Sequence, residues 1–79
     1  MANLTADQKS DLTKAEQLKV EANKMVGAKK FEEACELYFS AINTIRANST
    51  LRNEQPAKEC EIACRSNLAL CKLNLKQYD

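Results

Sequence analysis

The stretch Leu18–Ala41, LKVEANKMVGAKKFEEACELYFSA, decides the fold. In its first half Leu18, Ala22, Met25 and Val26 recur at helical spacing and share one stripe. The pattern breaks over Gly27–Lys30. A second stripe then begins with Phe31, Ala34, Leu37, Tyr38, Ala41, Ile42 and Ile45. Two amphipathic helices joined by so short a turn must lie antiparallel, apolar stripes inward. Ala22 on the first helix, and Ala34 and Ala41 on the second, are small where the axes should come closest. The stretch predicts a helical hairpin.

Working outward, Thr5 suits an N-cap, with Asp7 and Gln8 in the first turn, and Leu12 and Ala15 extend the buried stripe. Residues 1–10 read as an N-terminal lead-in, and Asp7, Lys9, Asp11 and Lys14 as surface charge. Helix two runs from Phe31 to Ile45 or beyond, with Glu32 and Glu33 at its positive end. Asn48, Ser49, Thr50, Asn53 and Pro56 mark a loop over 49–56. Pro56 suits a first helical position, so a third helix is predicted over 56–75.

That third helix is apolar nearly all round: Ile62, Ala63, Cys64, Leu68, Ala69, Leu70, Cys71, Leu73 and Leu75. Such a helix expects partners on two sides. The hairpin supplies one. The other is either a helix beyond Tyr78, in a longer protein, or a second copy of the chain. The sequence therefore predicts a homo-oligomer through an uncapped third helix, with exchange of that helix between copies as one form.

Composition agrees with an all-α domain: 79 residues with one Gly, one Pro and no Trp. A formal charge of +1 favours neither nucleic acid nor an anionic membrane. No apolar run approaches the roughly 20 residues that span a bilayer. The start MANL lacks a charged-then-apolar signal layout, and a cytoplasmic protein is expected. Cys60, Cys64 and Cys71 fall on one helical face, and Cys35 follows Ala34 on helix two. With no His and no C-x-x-C pair, a zinc site would need all four thiolates. Adjacent helical turns also suit a Cys60–Cys64 disulfide poorly. The cysteines are read as small apolar packing residues. No metal, no cofactor and no catalytic residue is expected: there is no His, glycine loop or paired buried carboxylate.

Three polar residues interrupt the apolar background. Lys19 and Asn23 lie one turn apart on helix one, off the Leu18–Ala22–Met25 stripe, and Asn67 sits mid-helix among apolar neighbours. Asn prefers caps to helix interiors, and a buried amide demands partners. A solvated Lys19, an incidental Asn23 and an Asn67 that bonds the loop after helix two are the plain alternatives.

In the positions of Ala22, Phe31, Ala34, Tyr38 and Ala41 the chain resembles a tetratricopeptide repeat, a helix–turn–helix unit of solenoids. Residues 11–48 would form the first repeat. Ser66–Asp79, SNLALCKLNLKQYD, resembles the first helix and turn of a second over 57–79, with Ala69 matching Ala22 and Tyr78 matching Phe31. The copies are separated by about thirteen residues more than the minimal 34-residue period. The usual turn glycine is replaced by Lys29 and Lys76, while Gly27 comes two residues early and no proline closes the first repeat. The resemblance implies right-handed stacking of three helices.

In that register Leu18–Asn23, LKVEAN, and Ser66–Ala69, SNLA, resemble the two-carboxylate clamp of heat-shock co-chaperones. Asn67–Tyr78, NLALCKLNLKQY, also resembles a helix of large immunophilins, whose isomerase activity would lie outside these residues. The resemblance implies that Lys19, Asn23 and Asn67 bind an acidic C-terminal peptide, Glu-Glu-Val-Asp, of a chaperone. An ammonium offers charge to one terminal carboxylate, and amide NH2 groups donate directional bonds to the other. It also implies two further basic residues from a following repeat. The alternative is a scaffold or self-associating fragment, with no clamp.

Overall fold

Thr5 and Gln8 close the first helix by reciprocal bonds. The Gln8 N–H donates to Thr5 Oγ1 at 3.1 Å, and the Thr5 N–H donates to Gln8 Oε1 at 2.8 Å. Two of the donors orphaned at a helix start are thereby satisfied. The structure, a computed structural model, describes residues 4–75. They form three helices, α1 (Ala6–Gly27), α2 (Phe31–Ala47) and α3 (Gln55–Asn74), with a 3-10 turn at Leu51–Asn53. No strand occurs among them, so the fold is all-α. Lys76 and Tyr78, the turn and aromatic positions of the partial second copy, lie outside the described residues.

Residues 6–10 of the expected lead-in are the first turns of α1, and Gln8 is buried. The helix ends in a Schellman arrangement: the Lys30 N–H donates to Met25 O at 2.8 Å and the Lys29 N–H to Val26 O at 2.9 Å. This geometry puts Lys29 in the left-handed region at φ 63, where glycine is usual. Chain reversal then lays α2 along α1. Ala15, Ala22, Ala34 and Ala41 are fully buried, which lets the two helices approach closely. Leu12, Tyr38, Ile42 and Ile45 fill the core beside them, with Leu18, Met25, Val26 and Leu37 packed at its margin.

At the far end of the hairpin one amide organises the connection to α3. Asn48 Nδ2 donates to Asp11 Oδ2 at 2.9 Å, while Asn48 Oδ1 accepts from the Leu51 N–H at 3.1 Å and the Thr50 hydroxyl at 2.9 Å. Asp11 is therefore not mere surface charge. It ties α1 to the end of α2, whereas Asp7, Lys9 and Lys14 are exposed. The Asn48 bonds hold the 3-10 turn so that Leu51, within a segment read as polar loop, is fully buried.

Pro56 lies in the first turn of α3, where its missing N–H costs nothing. The face α3 turns inward carries Ala57, Cys60, Cys64 and Cys71, all buried, with Leu68 at its edge. These cysteines pack as small apolar groups. The opposite face holds Ile62, Leu70 and Leu73, which are 62%, 56% and 52% exposed. Only one of the two sides on which α3 expected a partner is covered among the described residues.

Candidate functional site

Lys19, Asn23 and Asn67 lie on the side of the molecule where α1 faces α3. Helical spacing puts Lys19 and Asn23 one turn apart on α1. Asn67 Nδ2, on α3, donates to Asn23 Oδ1 at 3.4 Å. The same oxygen accepts a hydrogen bond from the Tyr38 hydroxyl of α2. One carbonyl thus joins all three helices. Its orientation follows from the donors: Tyr38 and Asn67 hold Oδ1 inward, so the Asn23 NH2 turns away from them. Among the described residues that NH2 donates to no group.

Asn67 does not bond the loop after helix two; Asn48 performs that task instead. Asn23 is exposed, Lys19 and Asn67 are half-buried, and Tyr38 is buried. The site is therefore a partly open surface floored by an aromatic ring.

Lys19 completes the electrostatics. Its charge reaches Cys60 and Cys64, which lie two turns and one turn, respectively, before Asn67 along the inner stripe of α3. A hydrogen bond from Cys64 holds the Cys60 thiol down to about 7, with Lys19 adding to the effect and Glu16 opposing it. The same hydrogen bond, joined by burial, pushes the Cys64 thiol up. Burial also pushes up Tyr38, with the nearby Cys71 adding to it and a hydrogen bond with Asn67 working the other way. The site thus offers one ammonium, one outward amide donor and a second amide beside it. No group of three or more Cys, Asp or Glu among the described residues is placed to hold a metal ion.

Sequence reasoning missed two parts of this surface. It read Tyr38 as an aromatic packing residue, although a buried Tyr hydroxyl needs a partner and so signals a polar neighbour. It also did not place Cys60 and Cys64 near Lys19. Their shared face was visible, but which helix it met was not.

Comparison with protein-family models, with curated proteins and with solved structures finds no match to this chain. No described helix is long and apolar enough to cross a membrane.

Proposed function

We propose that this chain is a protein-interaction module of the tetratricopeptide type whose α1–α3 surface receives the acidic C-terminal end of a peptide. The observation that supports this most is the outward NH2 of Asn23. Tyr38 and Asn67 fix its carbonyl, which leaves a pre-oriented donor one helical turn from the Lys19 ammonium. A peptide ending in Glu-Glu-Val-Asp presents two carboxylates on its last residue. Lys19 supplies charge to one, while Asn23 and Asn67 supply directional bonds to the other. The proposed partner is the C-terminal tail of a heat-shock chaperone, by the resemblance of LKVEAN and SNLA. This reading makes the module an adaptor without catalysis, working in the cytoplasm.

Titration by NMR with a Glu-Glu-Val-Asp peptide and its C-terminally amidated form tests the reading. Backbone shifts at Lys19, Asn23 and Asn67 are expected with the acid. They should be lost on amidation, on Lys19→Ala and at high salt, because the contacts are charge-assisted. Affinity should be weak, since one ammonium carries the charge recognition. Equal responses to acid and amide, or shifts confined to other surfaces, would overturn it.

A second reading is favoured by the exposed Ile62, Leu70 and Leu73 on α3: a scaffold whose third helix associates with another copy of the chain. Sedimentation at high concentration separates the two. A monomer throughout would remove the self-association reading and leave the first untouched.

A further inference from the structure

We propose that Cys35 and Cys71 form a redox-sensitive pair whose disulfide bolts α3 to the hairpin. The register between α2 and α3 leads to it. Arg46 of α2 lies 3.9 Å from Glu61 of α3, and further along the same seam Tyr38 and Asn67 donate to one and the same oxygen, Asn23 Oδ1. The helices therefore run antiparallel. Stepping back one turn from Tyr38 reaches Cys35; stepping forward one turn from Asn67 reaches Cys71. That register sets these two thiols opposite each other across the seam, both at the core and both free.

Their environments differ in a way that suits thiol–disulfide exchange. Cys35 is half-buried, while Cys71 is fully buried. A low-molecular-weight disulfide reaches the first and not the second. The Cys35 thiol loses its proton to solvent, and its thiolate attacks one sulfur of oxidised glutathione. Glutathione thiolate departs and is protonated, leaving a mixed disulfide on Cys35. Cys71 then loses its proton and attacks Cys35 Sγ, releasing the second glutathione. Two protein thiols become one disulfide, and one glutathione disulfide becomes two thiols. Burial pushes the Cys71 thiol up, so this second step quickens as pH rises.

Cys60 and Cys64 form no equivalent device. They sit on consecutive turns of one helix, where a bond would tie α3 only to itself. The Cys35–Cys71 bond instead closes a loop containing most of α2, the 3-10 turn and most of α3. That restricts the unfolded chain and keeps α3 against its own hairpin. The crosslink lies one turn from Asn67, so it also keeps that amide beside Asn23. The proposal stands whether or not the surface takes a peptide.

The test treats the whole chain with oxidised glutathione and digests it with trypsin. Cleavage separates the thiols into peptides 31–46 (Cys35), 59–65 (Cys60 and Cys64) and 66–72 (Cys71). The expected product is monomeric, with 31–46 linked to 66–72 and a melting temperature about 10 °C above the reduced form. Cys35→Ser and Cys71→Ser should each abolish both the link and the shift, while the Cys60→Ala/Cys64→Ala double variant keeps them. Should Cys71→Ser not fold, the half-buried Cys35→Ser carries the comparison alone. An internal 59–65 disulfide as the main product, a persistent glutathione adduct on Cys35, or a crosslinked dimer would each overturn the proposal. So would a 31–46/66–72 link that leaves the melting temperature unchanged.

Discussion

The Tyr38 hydroxyl donates to Asn23 Oδ1, joining a buried residue of α2 to an exposed one of α1. The two ends of this bond carry unequal consequences. Tyr38→Phe removes the donor, and Asn23 keeps Asn67 and water, so a loss of about 1 kcal/mol is expected. Asn23→Ala leaves the Tyr38 hydroxyl buried without its acceptor, a cost of about 1–3 kcal/mol, offset by roughly 0.5 kcal/mol from better helix propensity. Urea denaturation of both single variants and the double variant measures the coupling. Additive effects would show that the bond contributes nothing net.

The turn between α1 and α2 holds its glycine in the wrong place. Gly27 is helical and nothing lies within 4 Å of the position a Cβ would take, so the residue only adds freedom to the unfolded chain. Gly27→Ala is expected to stabilise by about 0.5–1 kcal/mol. Lys29, at φ 63, is held where an L side chain is disfavoured. Lys29→Gly should add about 1 kcal/mol, whereas Lys29→Ala should add nothing because its Cβ keeps the same strain. Thermal melts of the three variants give the order directly.

Stability should depend on pH through the cysteine cluster. Cys60 is held down to about 7 from an ordinary thiol value of 9.0 by the Cys64 hydrogen bond and by Lys19, against burial and Glu16. Between about pH 7 and about pH 9 the unfolded state therefore keeps a proton that the folded state has released. Stability rises with pH across that window, by on the order of 1 kcal/mol, and is lost again as pH falls through 7. Above about pH 9 the sign reverses. Cys64, Cys71 and Tyr38 are pushed up in the fold, so the unfolded chain then releases protons first. Denaturation midpoints between pH 6 and pH 10 should pass through a maximum near pH 9. Cys60→Ala should flatten the rising limb. A monotonic fall above pH 7 in the parent chain would contradict the assignment.

The hairpin was legible because its burial repeats with the helical period. Leu12, Ala15, Ala22, Ala34, Tyr38, Ala41, Ile42 and Ile45 are the buried face that spacing predicts. Thr5 and Pro56 marked their helices by local chemistry that needs no tertiary partner. The meeting of Asn23 with Asn67 depended on how α3 crosses the hairpin, which periodicity does not encode. What brought them together in the reading was the repeat register. Its orienting hydroxyl, on Tyr38, stayed hidden because a stripe analysis counts Tyr only as apolar. The loop misled for a similar reason. Asn48, Ser49, Thr50 and Asn53 outnumber the one residue whose burial matters.

That residue is Leu51. It is fully buried, seated by the Asn48 side-chain carbonyl that accepts its N–H at 3.1 Å. Leu51→Ala should remove a core side chain and cost about 2–5 kcal/mol, the range for large-to-small changes that leave a cavity. Asn48→Ala keeps the side chain but removes its tether and the bond to Asp11, so about 1–2 kcal/mol is expected by comparison with the loss of helix caps. Asp11→Ala, which breaks only the Asn48 Nδ2 bond, should cost less than Asn48→Ala. Guanidinium melts of the three variants test this order. If Leu51→Ala proved as mild as Asp11→Ala, the 3-10 turn would not be part of the core, and the α2–α3 connection would be held by its helices alone.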